Sequence, residues 1–194
     1  MSRQALEALL RAGASLVGDW IDERTERRLL MEIDASPWCT DLKRRTQHYG
    51  WRYDYKARRV DASMRLDGLP AWATDLGDRM KAEGYCASQP DQVIVNEYLP
   101  GQGIASHIDC VPCFGPTILS LSLGSSCVIE FSALESQLHS IALRPRSLLV
   151  LSGDARARWA HRIPSRKSDV ISGTRVPRAR RVSLTFRTVS LEVR

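Results

Sequence analysis

Apolar residues recur along this chain with two different periods. Leu6, Leu9, Leu10 and Leu16 fall at roughly helical spacing over residues 4–17, and Leu29, Leu30 and Ile33 do so over 22–34. Trp72, Leu76 and Met80 recur every four residues in a stretch that Pro70 opens and Gly84 closes. These spacings predict three amphipathic helices, the second ended by Ser36-Pro37 and the third begun by a proline in a favoured first position. Beyond residue 90 the pattern shifts to alternation, which predicts strands near 92–99, 117–123, 127–131, 147–152 and 181–189. In the last of these, Val182, Leu184 and Phe186 form an apolar face, and Arg181, Ser183, Thr185 and Arg187 form the other. Short strands separated by turns, after N-terminal helices, predict an α+β, mainly β fold of jelly-roll or barrel-like sandwich type. Residues 162–180 read as a long Arg-rich loop. No repeat, linker or composition break divides the chain, so one domain over 1–194 is expected.

Composition narrows this picture little: 43% hydrophobic and 26% charged residues fit an ordinary globular chain. No apolar run reaches the ~20 residues that a membrane-crossing helix needs. The first residues lack the pattern of a secretory signal, and a monomer in the cytoplasm is expected. Five cysteines, an odd number without framework spacing, fit reduced thiols. Cys110 and Cys113 read as incidental cysteines of a loop.

Charge changes the picture more. The net charge is +6, and the basic residues cluster. Between Lys43 and Arg59 there are seven Lys or Arg against one acid, Asp54; between Arg156 and Arg187 there are ten against Asp169. Two dense blocks point to a polyanionic partner, most simply nucleic acid. The first block also interleaves Trp51, Tyr53 and Tyr55 with Lys43, Arg44 and Arg45, pairing cations for phosphates with rings for bases.

The candidate chemistry centres on residues 92–109. On an extended segment His107 and Asp109 share one side, and such a pair can supply two ligands of the three-ligand face that holds non-haem Fe(II). The alternative is a surface histidine beside an ordinary aspartate. Asn96 and Tyr98 share a face of the strand before it. His161 and His139 both stand as third-ligand candidates, with His139 read as a polar turn residue. Arg181 and Arg187, on the polar face of one strand, suit bidentate recognition of carboxylates.

Taken together, Asn96-x-Tyr98, His107-x-Asp109, His161 and Arg181-x5-Arg187, with SLSLGSSCVIEF between them, resemble the AlkB-type dioxygenases dependent on Fe(II) and 2-oxoglutarate. The likeness runs from about Gln47 to Val189. It implies a double-stranded β-helix (jelly-roll) core, a catalytic region at about 90–190 and a nucleotide-recognising lid at about 40–61. It further implies iron held by His107, Asp109 and His161, and 2-oxoglutarate held by Asn96, Tyr98, Arg181, Ser183 and Arg187. Ser183 departs from the asparagine that many members carry, although its hydroxyl can still hydrogen-bond. In the lid, Trp51, Tyr53 and Tyr55 with Lys43, Arg44 and Arg45 would meet the substrate, Tyr55 by stacking. The implied reaction is oxidative demethylation of N-alkylated bases in DNA or RNA, releasing formaldehyde, succinate and carbon dioxide. The alternatives are hydroxylation of a modified wobble uridine in tRNA, oxygenation of a protein, or a nucleic-acid-binding module without activity.

Overall fold

The computed structural model describes residues 3–133 and 136–191, without the side chains of 3–6, 136 and 137; the expected packing of the Leu6 side chain therefore lies outside what is described. The elements follow in the order α1 (Arg3–Arg11), β1 (Ala14–Val17), α2 (Glu23–Asp34), β2 (Thr46–Tyr49), α3 (Ala71–Ala82), β3 (Gln92–Tyr98), β4 (Ile104–His107) and β5 (Phe114–Gly124). They continue with β6 (Cys127–Ala133), β7 (Ser136–Leu143), β8 (Leu148–Leu151), α4 (Gly153–Ala157), β9 (Ala160–Ile163), β10 (Ser168–Ile171), β11 (Thr174–Pro177) and β12 (Arg181–Val189).

A six-stranded sheet in the order β1-β8-β5-β12-β3-β2 faces a four-stranded sheet in the order β4-β9-β6-β7. The antiparallel strands form a double-stranded β-helix. Alternation divides the larger sheet cleanly. Val93, Val95, Leu119, Leu121, Leu123, Leu148, Val150, Val182, Leu184 and Phe186 pack with Leu29 and Ile33 of α2 and Trp72, Leu76 and Met80 of α3. Buried Leu and Met side chains of this kind are worth roughly 2–5 kcal/mol each against Ala. The opposite face carries Asn96, Tyr98, Ser120, Arg181, Ser183, Thr185 and Arg187 into the space between the sheets. The helices therefore brace the sheet that presents the polar side chains.

The second helix begins where its cap dictates: Asp22 accepts from the Thr25 N–H at 2.7 Å. The first is shorter than its periodicity predicts. Gly13, at φ +97°, turns the chain, and 14–17 pair with β8 as β1. Sheet pairing outweighs helical spacing there, leaving Leu9 buried and Leu10 exposed. The expected long loop at 162–180 contains the end of β9 and the hairpin β10–β11. His139 lies on β7, stacked against Trp159 at 5.3 Å between ring centroids, and is no turn residue. Cys110 and Cys113 are joined as a disulfide; the tight turn that separates them brings their Cα atoms to 5.2 Å, within bonding range.

His48 of β2 is half-buried beside Tyr55, and its Nδ1 is buried without a hydrogen-bond partner. Burial, aided by the charges of Arg52, Arg187 and Arg44, lowers its pKa from 6.5 to about 4. The folded protein keeps this ring neutral where the unfolded chain would protonate it. Its contribution to stability is therefore complete above pH 6.5 and shrinks as pH falls toward 4. In thermal melts across that interval, His48→Gln should show a shallower loss of melting temperature with acid than the unaltered protein.

Candidate active site

The two sheets enclose a cavity of about 520 Å³. One end is set by strand pairing: β4 and β9 place His107 opposite His161, with ring centroids 4.4 Å apart. Asp109 follows β4, and its Oδ2 lies 3.8 Å from His161 Nε2. A ligand atom from each of the three lies within 4.8 Å of the others, a spacing that can hold a metal ion. The donor set fits the two-His, one-carboxylate pattern of non-haem Fe(II). His107 Nδ1 is 2.8 Å from the Ala105 carbonyl, which orients the ring and leaves Nε2 for a metal. The close approach of β4 to β9 also fixes Gly103, since a Cβ there would sit 2.1 Å from the Ile163 carbonyl oxygen.

Electrostatics keeps these donors in metal-binding form. Burial pushes the His161 pKa down to about 4, overriding the neighbouring Asp109 charge, so at neutral pH its contact with Asp109 is not an ion pair. Burial would raise Asp109, but Arg187 and the two histidines hold it down to about 2. Arg187 Nη2 donates to Asp109 Oδ1 at 2.7 Å, leaving Oδ2 on the histidine side.

Deeper in the cavity, Arg181 Nη2 donates to Ser122 Oγ at 2.9 Å and its guanidinium lies over the Tyr98 ring. Ser183 shares a hydrogen bond with Ser120 at 2.9 Å. Arg181 Nε and Nη1 and Arg187 Nε are buried without partners, which is costly unless an acceptor arrives. A small dicarboxylate fits those unmet donors. Among the described residues lining the cavity, Lys43, Arg44, Arg58, Arg181 and Arg187 are cationic and Asp109 alone is acidic.

The lid residues separate into two groups. Tyr53 and Tyr55 line the cavity in edge contact with each other, at 5.1 Å between centroids, and burial raises both phenols. Lys43 and Arg44 line it too; Arg44 Nε donates to Asn96 Oδ1 at 2.9 Å. Arg45 does not, because neighbouring side chains follow opposite faces of β3: it pairs with Glu97 at 2.6 Å and lies over Trp38. Trp51 also lies outside the cavity lining, with its ring beneath Arg65.

The second basic block is largely consumed within the fold. Arg162 pairs with Glu130 at 2.7 Å, Arg178 with Asp169 at 2.6 Å, and Arg180 with Glu97 at 2.6 Å and with Asp34. Most of these acids are remote in sequence, so counting charges along the chain overstated the free cations. Arg156, counted in that block, is buried and binds main-chain carbonyls. Its isolation from any sequence motif hid it; only its place five residues before His161 could have drawn notice.

The sequence of the 2OG-Fe(II) oxygenase superfamily is matched over residues 1–187. The chain is 35% identical to the Arabidopsis thaliana "Alkylated DNA repair protein ALKBH8 homolog", over 91% of this chain and 58% of that protein. It is 36% identical to the Xenopus tropicalis "tRNA (carboxymethyluridine(34)-5-O)-methyltransferase alkbh8", over 87% of this chain but only 28% of that one. Among solved structures, OsALKBH1 superposes with a TM-score of 0.68 at 16% identity, covering 92% and 97% of the two chains, a likeness of fold.

Two outcomes are expected of this geometry. His161→Ala should abolish metal-dependent turnover of 2-oxoglutarate while His139→Ala leaves it nearly intact, as succinate release would report. Arg181→Lys should weaken 2-oxoglutarate binding about tenfold or more, since a charge-assisted hydrogen bond is worth ~1.5–3 kcal/mol; calorimetric titration measures this.

Proposed function

The chain belongs to the 2OG-Fe(II) oxygenase superfamily, as an AlkB-type dioxygenase that uses Fe(II) and 2-oxoglutarate, and from that premise we propose that it oxidatively demethylates N-alkylated bases in DNA or RNA. The observation carrying this reading is the cavity itself: a candidate metal-binding triad, two lid tyrosines lining the same space, and five cations against one acid around it. A flat ring attached to an anionic backbone matches that combination better than a protein side chain does.

In this reading His107, Asp109 and His161 would hold the metal, and Asn96, Tyr98, Arg181, Ser183 and the unpartnered Nε of Arg187 would hold the cosubstrate. Fe(II) and 2-oxoglutarate, when bound, would supply oxidation of the alkyl carbon with dioxygen as the oxidant, one oxygen atom ending in succinate as carbon dioxide is lost and the other in formaldehyde. The protein's own residues do the positioning. Arg187 keeps the Asp109 carboxylate ionised and turned so that one oxygen faces the histidines. Arg181 anchors the far carboxylate of the cosubstrate against Tyr98 and Ser122. Ile118, Leu149, Leu151, Ile129 and Ile163 line the space with apolar surface and keep water from the reacting groups. A base from a duplex would have to be flipped to enter, with Tyr55 closing one face and Lys43, Arg44 and Arg58 meeting the flanking phosphates.

The 35–36% identity to ALKBH8 proteins supports a second reading, hydroxylation of a modified wobble uridine in tRNA. Product masses separate the two: a panel of methylated oligonucleotides should lose a methyl group under the first, whereas a modified uridine in tRNA should gain an oxygen under the second. Under either, Tyr55→Ala should slow base oxidation roughly fivefold to a hundredfold, because base–aromatic stacking is worth ~1–3 kcal/mol. Undiminished oxidation by this variant would move the stacking role to Tyr53. A protein that oxidises no base in either panel would overturn the nucleic-acid reading.

A further inference from the structure

One buried cation near the cavity has no part in the scheme above. Arg156, on α4, is only 5% exposed. Its guanidinium is spent on main-chain carbonyls of one short loop: Nη1 donates to Asp109 O at 3.0 Å, Nη2 to Cys110 O at 3.0 Å and Phe114 O at 3.2 Å, and Nε to Gly115 O at 3.4 Å. That loop begins at the candidate carboxylate ligand. It also carries the Phe114 ring, which supports the Arg187 guanidinium at 4.8 Å and packs against Tyr53 of the lid at 5.6 Å. Arg156 itself stands five residues before His161, on the segment leading into β9.

We propose that Arg156 is a positioning residue that fixes the 109–115 loop against the α4–β9 segment, setting Asp109 relative to His161 before any metal arrives. The guanidinium suits this task because its N–H donors diverge in a rigid plane and reach several carbonyls at once. A lysine ammonium is a point charge on a flexible stem and could meet only part of the set. The arrangement would make metal affinity depend on a residue that never touches the metal, as supporting groups around metal ligands commonly do.

The proposal rests on the reading of His107, Asp109 and His161 as the metal site, so its test reads metal binding rather than oxygenation. Co(II) is titrated into the full chain while its visible absorption is followed. Arg156→Lys should raise the dissociation constant about tenfold to a hundredfold. Arg146→Lys disturbs another bridging arginine, one that pairs with Asp19 and Glu26 outside the cavity lining. It should lower the melting temperature while leaving the dissociation constant within about twofold. Unchanged Co(II) affinity in folded Arg156→Lys, or equal losses in both variants, would overturn the clamp. Failure of the unaltered protein to bind Co(II) would overturn the triad reading with it. Should Arg156→Lys not fold, hydrogen exchange of the unaltered protein decides, under reductant so that the Cys110–Cys113 link is open. The amides of the 110–115 segment should exchange slowly without metal. Fast exchange that slows only when Co(II) binds would show that metal orders the loop, and would overturn the proposal.

Discussion

The contact between Arg187 and Asp109 is the constraint on which the rest of the site depends. The arginine belongs to β12, at the centre of the larger sheet, and the aspartate follows β4 at the edge of the smaller one. Both are buried, and a buried charge is costly unless it is paired or well hydrogen-bonded; removing one partner of a buried pair typically costs ~3–5 kcal/mol. The pair therefore ties the two sheets together at the point where chemistry is expected. It also divides the carboxylate between two tasks, one oxygen held by the guanidinium and the other turned to the histidines. Closing the sandwich and assembling the candidate metal-binding triad are, in this sense, one event.

Strand alternation does the remaining work economically. On β3 and β12 one set of side chains seals the core beneath α2 and α3, and the intervening set carries amide, phenol, hydroxyl and guanidinium groups into the cavity. A substitution that slipped the register of β12 by one residue would exchange these sets and destroy core and site together. The donors left unpartnered on Arg181 and Arg187 reflect the same division. The fold accepts their desolvation because a ligand with carboxylates can repay it.

The distribution of positive charge shows how function and structure compete for the same residue type. Arg162, Arg166, Arg178 and Arg180 hold loops and strand ends against Glu130, Asp169 and Glu97. Lys43, Arg44 and Arg58, by contrast, border the cavity. Arg45 and Arg44 are adjacent, yet one pairs with Glu97 and the other with Asn96, on opposite faces of β3. Electrostatic attraction for an anionic substrate is therefore concentrated at the cavity mouth rather than spread over the arginine-rich C-terminal region.

The sequence alone determined what depends on local periodicity and on motif spacing. Trp72, Leu76 and Met80 marked the inner face of α3, and Arg181, Ser183, Thr185 and Arg187 marked the cavity face of β12. His107-x-Asp109 marked the centre of the site because two-residue spacing on an extended chain puts both side chains on one side. Tertiary structure decided the partners. It set His161 opposite His107 through β4–β9 pairing and placed His139 on β7 against Trp159. It turned residues 14–17 from predicted helix to β1, because an open edge beside β8 offered hydrogen bonds that helical spacing could not match. It also matched arginines with acids up to 146 residues away and gathered four carbonyls around Arg156. A chain's pattern records which face of an element each residue occupies. Which distant group meets that face is fixed only when the sheets close, because burial then makes every unpaired charge and donor expensive.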